Sequence, residues 1–275
     1  MNIIDGKEIR ESLKTDVKEK INSISNKLKL VVFMVGDNSS SEIYVRNKKT
    51  LCEELGIICE VKKYSEISEE DLIKEIDNCN SDENVTGIIV QLPLPSNINE
   101  SNVIESINPS KDVDGLTSTN EGKLALGEPS LIPCTALGIM KMLEYHNINL
   151  SGLNTVIVGR SRLVGLPLAS LFLNSDATVT VCHSKTNDLK SITKTADILV
   201  TAIGKKEYFD ESFIKDGAIV IDVGINREDG KVYGDCNFES MKDKSSLITP
   251  VPGGVGILTV TMLVNNVIQA YYMQT

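Results

Sequence analysis

Only two histidines, His146 and His183, occur in this 275-residue chain, which argues against a histidine-rich metal centre. Paired cysteine motifs are also missing. Cys52, Cys59, Cys79, Cys134, Cys182 and Cys236 are scattered with no CxxC spacing, and a chain of this length has no need of disulfide staples. They read as small core residues; Cys134 alone is a candidate pocket residue, with no evident base beside it. Basic charge is in deficit: 28 Lys and Arg against 38 Asp and Glu leave a formal charge of -10. That balance opposes binding to a nucleic-acid backbone, yet it leaves room for a small basic pocket that takes an anionic metabolite. No apolar run reaches the roughly 18 residues of a membrane span, and no basic-then-apolar leader is visible. The expectation is a cytoplasmic protein with no metal, no membrane and no nucleic-acid partner.

What the chain does have is Tyr44 and Lys48 on one predicted helix, four residues apart and therefore on the same face. Ile43, Leu51, Cys52 and Leu55 form an apolar stripe that predicts an inward-looking surface there. An amine held partly desolvated beside such a stripe is a candidate for proton transfer. The competing reading is a surface lysine whose stem lies over the edge of the core.

Helical and strand patterns alternate through the first half. Ile9, Leu13, Val17, Ile21 and Ile24 make a helical stripe, and residues 30–35 an apolar strand. A helix over about 41–55 leads to a strand near 57–61. A helix over 67–79 then precedes a buried strand at 87–90. This order predicts a parallel sheet covered by helices. From Gln91 to Pro133 the pattern gives way to loops, beginning with Gln91-Leu92-Pro93-Leu94-Pro95, where the prolines oppose helix. Thr135 is a candidate cap for a helix reaching His146. A second αβ series follows Gly152, with strands expected at 155–159, 178–182, 198–201 and 218–223 and a closing helix over 255–270.

At the head of that second series, Gly159-Arg160-Ser161-Arg162-Leu163-Val164-Gly165 sits at a strand-to-helix junction. Gly159 suits a tight turn and Gly165 a close backbone approach, so amides at the junction can face a pyrophosphate. As a bare pattern it lacks the usual GxGxxG spacing, and an ordinary turn is the alternative. The next strand ends in Cys182-His183-Ser184-Lys185-Thr186 without the acid that holds an unphosphorylated ribose. Ser184 together with Arg160, Arg162 or Lys185 instead suits a 2′-phosphate, which predicts NADP. His183 reads as shaping this turn rather than as a base. Thr201-Ala202-Ile203-Gly204 and Asp222-Val223-Gly224-Ile225-Asn226 follow later strands and offer small residues where a ribose or nicotinamide can approach. Pro250-Val251-Pro252-Gly253-Gly254-Val255-Gly256 has the composition of a shaped loop entering a helix.

These segments, in this order, resemble the bifunctional methylenetetrahydrofolate dehydrogenase/methenyltetrahydrofolate cyclohydrolase family over nearly the whole chain. The motifs are Tyr44 to Lys48, Gly87 to Pro95, Lys111-Asp112-Val113-Asp114-Gly115, Pro133-Cys134-Thr135, Gly159 to Gly165, Cys182 to Thr186 and Pro250 to Gly256. The resemblance implies an α/β fold of two αβ domains flanking a cleft, the second a Rossmann-like dinucleotide-binding domain. It implies a folate-binding catalytic domain over 1–137, an NADP-binding domain over 138–255, and a C-terminal helix over 256–275 packing back on the first.

By the same resemblance Lys48 is the central catalytic residue, Gln91 sets its position, Tyr44 orients the folate and Asp114 holds the pterin edge. Leu92, Pro93, Pro252, Gly253 and Gly254 border the substrate. Gly159, Arg160, Ser161, Gly165, His183, Ser184, Thr201, Ala202, Gly204, Gly224 and Ile225 border NADP. A homodimer and a reduced-folate substrate are implied as well. The chain departs from the family pattern at Lys206, at Cys236 and Asn237, and at Ile257-Leu258, while Lys48, Gln91 and Asp114 keep it. The alternatives are another NAD(P)-dependent dehydrogenase acting on a small acid or amino acid, and a non-catalytic nucleotide-binding protein.

Overall fold

A computed structural model describes residues 3–275. The chain divides into two compact units, one of residues 13–134 with 260–275, the other of residues 3–12 with 135–259.

In the first unit, strands β1 (Lys29–Val35), β2 (Ile58–Tyr64) and β3 (Gly87–Val90) form a parallel sheet in the order β2-β1-β3. Central β1 shows why its sequence is a continuous apolar run. Leu30, Val32 and Met34 enter one core, and Val31, Phe33 and Val35 enter another on the opposite face. Successive side chains of a strand alternate, so a strand covered on both faces must be apolar throughout. Helix α1 (Gly6–Ser23) leads into β1, the crossovers are α2 (Ser39–Glu54) and α3 (Glu69–Ser81), and short α4 (Glu100–Glu105) and α5 (Ser118–Ala125) follow β3. Ser68 caps α3 by accepting from the Asp71 amide at 3.1 Å, with acids filling the first turn. The C-terminal helix, Thr259–Gln274, sets Leu263, Val264, Val267 and Ile268 into the first core beside Val32 and Val113.

The second unit opens with α6 (Cys134–Tyr145) and holds β4 (Asn154–Val158), α7 (Gly165–Leu173), β5 (Thr178–Cys182), α8 (Leu189–Thr193), β6 (Ile198–Thr201) and β7 (Ile219–Asp222). A hairpin, β8 (Asn226–Glu228) with β9 (Lys231–Tyr233), precedes α9 (Phe238–Met241) and β10 (Leu247–Ile248). The five parallel strands run β10-β7-β6-β4-β5. In chain order this is the doubly wound 2-1-3-4-5 arrangement, whose direction reverses between β4 and β6. Ligands of such sheets sit at the carboxyl ends of the strands flanking that reversal.

The structure differs from the sequence expectations in four places. Residues 3–12 group with the second unit: Ile4 N–H donates to Ile248 O at 2.9 Å, and Gly6 N–H to Gly253 O at 3.1 Å. Val255–Ile257 form a single 3-10 turn, and the closing α-helix starts only at Thr259; tight turns of this kind are common at helix entries. Thr135 lies inside α6, which already begins at Cys134. Ile43 is 44% exposed, and Val45 takes its place on the inner face of α2. No helix among the described residues is long and apolar enough to cross a membrane.

Candidate active site

In the first unit α2 buries Val45, Leu51, Cys52 and Leu55, and the half-buried Lys48 emerges at the margin of that face. Its Nζ donates to Gln91 Oε1 at 3.1 Å, and it forms no ion pair among the described residues. Gln91 is well anchored. Its N–H donates to Phe33 O at 2.8 Å, extending the sheet by one residue, and its Nε2 donates to Leu92 O at 2.8 Å. With the amide nitrogen committed to Leu92, the oxygen is the atom that faces the lysine. The Leu92–Pro93 peptide is cis, and Pro93 is exposed beside it. Tyr44, one turn before Lys48, is 41% exposed.

The segment Lys111 to Gly115 divides its charges by role. Lys111 is buried and donates to Cys79 O at 3.0 Å and Asp82 O at 2.8 Å, at the end of α3; burial lowers its pKa. Asp112 is buried too, accepting from Gly115 N–H at 3.0 Å, Thr117 N–H at 2.8 Å and Asn120 Nδ2 at 3.0 Å. Desolvation still pushes its carboxyl above the usual range. Asp114 is half-buried and makes no hydrogen bond or ion pair among the described residues. It is the acid of this segment left for a ligand. Cys134 is a poor nucleophile: burial, and then the nearby Asp114 charge, push its thiol pKa well up, with Lys48 acting in the opposite sense.

In the second unit the loops after β4 and β6 meet at the sheet reversal. Gly159 has φ +129°, and a Cβ there would strike Ala202 O; one on Gly165 would strike Gly159 O. Both glycines are therefore demanded by backbone packing at the head of α7. Arg160 and Ser161 are exposed. His183 Nδ1 accepts from Lys185 N–H at 3.1 Å, and its main chain pairs with Thr186, so the imidazole organises the turn that leaves Ser184 and Lys185 exposed. No carboxylate occurs from Cys182 to Asn187. The residues present thus fit a dinucleotide. Ala202 is half-buried, and Gly204 and Ile225 are exposed at neighbouring loop positions.

Thr201 does not belong on that surface. It is buried, and its hydroxyl lies 3.4 Å from Asp222 Oδ1 and 3.3 Å from Cys236 Sγ. That hydroxyl is committed to the core, so the expected approach of a ribose or nicotinamide here involves the main chain and not the Thr201 side chain. Gly224 is small for a different reason than expected: a Cβ would collide with Asp235. Gly254 is likewise tight, since a Cβ there would lie 2.6 Å from Pro250 O, whereas Gly253 is required by its φ of +114°.

Sequence reasoning passed over the supports. Asp235 accepts from three consecutive amides, Ile203 at 2.6 Å, Gly204 at 3.1 Å and Lys205 at 2.7 Å, and fixes the loop after β6. Asp222 accepts from Gly224 N–H at 2.9 Å, Asp235 N–H at 3.0 Å and Cys236 N–H at 2.8 Å. Burial nonetheless raises its pKa to about 6. Their one signal in the sequence was an acid at or just after an apolar strand. No cluster of three or more His, Cys, Asp or Glu among the described residues could hold a metal.

Comparison with known proteins agrees with this arrangement. Residues 4–114 match the family described as tetrahydrofolate dehydrogenase/cyclohydrolase, catalytic domain. Residues 133–275 match tetrahydrofolate dehydrogenase/cyclohydrolase, NAD(P)-binding domain. The chain is 46% identical over 272 residues to the bifunctional protein FolD of Halalkalibacterium halodurans, covering 98% of each. Among solved structures it is similar to the bifunctional FolD methylenetetrahydrofolate dehydrogenase/cyclohydrolase of Campylobacter jejuni. There the TM-score is 0.97 at 43% identity, with 100% of both chains covered. It is also similar to the Trypanosoma brucei methylenetetrahydrofolate dehydrogenase-cyclohydrolase solved with NADP cofactor and an inhibitor. That match has a TM-score of 0.92 at 32% identity and covers 99% and 97% of the two chains.

Proposed function

The chain belongs to the tetrahydrofolate dehydrogenase/cyclohydrolase family, and on that premise we propose that Lys48, set by Gln91, carries its proton transfers and that NADP is its preferred dinucleotide. It is a bifunctional enzyme: it oxidises 5,10-methylenetetrahydrofolate to the methenyl cation and hydrolyses that cation to 10-formyltetrahydrofolate.

Oxidation needs alignment more than acid–base chemistry, because a hydride leaves the one-carbon unit and no proton moves with it. When bound, the dinucleotide supplies the hydride acceptor. The protein's part is to hold the folate still. Tyr44 offers its exposed ring to the pterin face, and Leu92 and Pro93 follow Gln91 on the same side of the substrate. Asp114, a carboxylate without a protein donor, accepts hydrogen bonds from the N–H edge of the pterin.

Ring opening is different. Water adds to the methenyl carbon and loses a proton; N5 gains a proton as its bond to that carbon breaks, and the remaining hydroxyl proton leaves to solvent, so that a formyl group stays on N10. Lys48 in its neutral form takes the proton from the attacking water, and the resulting ammonium returns one to N5. The observation that carries this reading is the 3.1 Å bond from Lys48 Nζ to Gln91 Oε1, which fixes the amine without adding a charge. The exposed Arg160, Ser184 and Lys185, with no acid in that turn, support recognition of a 2′-phosphate. A homodimer is carried over from the family resemblance.

Gln91→Ala tests the role of the pair. Ring opening of methenyltetrahydrofolate is expected to slow by about 10²-fold while NADP⁺ affinity stays unchanged. Parental ring opening by this variant would reject the pairing.

A further inference from the structure

We propose that Asn266, on the C-terminal helix, is the positioning residue that holds Asp114 in its pterin-binding place. This rests on the reading of Asp114 just given.

Asn266 is 2% exposed, on a helix whose other buried residues, Thr261 apart, are the apolar Met262, Leu263, Val264, Val267, Ile268 and Ala270. A primary amide in such surroundings is costly unless its protons find acceptors. Both do. Nδ2 donates to Val113 O at 2.9 Å and to Ile132 O at 2.7 Å, with Cys134 Sγ at 3.7 Å. Two protons meet two carbonyls, which is the full donor capacity of the nitrogen. Val113 O belongs to the peptide that joins Val113 to Asp114. Ile132 O belongs to the peptide that leads into Pro133-Cys134.

These two segments run in contact. A Cβ on Gly115 would lie 2.6 Å from Leu131 O, and the Val113 side chain is wedged where a Cβ on Gly87 would lie 2.6 Å from it. The backbone on the amino side of Asp114 is thus gripped from one side by the sheet and from the other by Asn266. On its carboxyl side the Asp112 carboxylate closes the turn onto Gly115 N–H. Asp114 itself makes no bond to the protein, so its direction is inherited from this clamped backbone.

The experiment measures folate KM, kcat, NADP⁺ affinity and Tm for full-length Asn266→Ala, Asp114→Ala and the double variant, with hydride transfer followed at saturating NADP⁺. Asn266→Ala should raise the KM for methylenetetrahydrofolate about tenfold, as expected for the loss of buried hydrogen bonds. NADP⁺ affinity should stay at the parental value. In the Asp114→Ala background the same change should add less than about twofold, because the two residues act as one unit. Equal fold-changes in both backgrounds would mean a merely structural amide and overturn the proposal. An effect of Asp114→Ala with none of Asn266→Ala would overturn it alone, whereas a parental KM in Asp114→Ala would overturn the reading of Asp114 and this proposal with it. Should the alanine variant fail to fold, Asn266→Asp keeps the shape and removes both donors. Its folate KM should be raised at alkaline pH and recover as the pH falls and a protonated carboxyl regains one donor; a pH-independent or parental KM would overturn the proposal.

Discussion

A lysine beside a carboxylate is held as a cation, whereas Gln91 takes a hydrogen bond from Lys48 at 3.1 Å and brings no charge. The bond thereby orients the amine without placing a countercharge beside it. The same economy of roles separates Asp112, spent on the turn, from Asp114, left for a ligand. Asp222 is the residue whose environment makes the sharpest solution prediction. Burial, opposed by three backbone donors and assisted by the Asp235 charge, raises its carboxyl to about 6 from 3.8. The sign follows from linkage: the folded state favours the protonated form, so this group's contribution to stability is full below about pH 4 and is lost as the pH rises through about 6. Carboxyl ¹³C titration of aspartate-labelled protein, assigned with Asp222→Asn, should show a midpoint near 6. A midpoint near 4 would mean that the side chain is solvated.

Among the elements, the loops at the carboxyl ends of β4, β5 and β6 are the ones to which the proposed function assigns the dinucleotide. Ser184 and Lys185 stand exposed on the turn that His183 organises, and a carboxylate there would repel a 2′-phosphate and accept from an unmodified ribose. Ser184→Asp is expected to shift the kcat/KM ratio from NADP⁺ towards NAD⁺ on the order of 100-fold. An unchanged ratio, or a parental enzyme that prefers NAD⁺, would contradict the assignment of this turn. These elements were legible because their signals are local. The apolar run of β1, the glycines at 159 and 165 and the missing acid after β5 each follow from short-range backbone or side-chain needs. The buried neighbours of Thr201 and Gly224 were not legible, because a small or polar residue after a strand looks the same whether it faces a ligand or a buried carboxylate. Only the packing of Asp222 and Asp235 distinguishes the two. The β8–β9 hairpin was missed although Asp229-Gly230, with φ of 49° and 74°, is the turn such a hairpin favours. Asn266 was overlooked inside an apolar helix stripe; a lone amide at an inward position was its signal.

For the whole molecule, a chain that enters one unit, folds the other and returns must keep distant segments in register. Residues 3–12 join β10 and the Gly253 loop, while the C-terminal helix closes the core of the first unit. No stretch of local pattern reveals such partnerships, since they depend on contacts between segments some 250 residues apart in sequence. Two activities in one chain nevertheless make different demands: hydride transfer needs held ligands, and ring opening needs a proton carrier. One substitution should therefore separate them. The direct measurement is the hydrolysis of methenyltetrahydrofolate by Lys48→Met, with NADP⁺ binding recorded on the same protein. The expected result is ring opening reduced by about 10²-fold or more with nucleotide binding intact. Ring opening at the parental rate would contradict the assignment of Lys48 as the proton carrier.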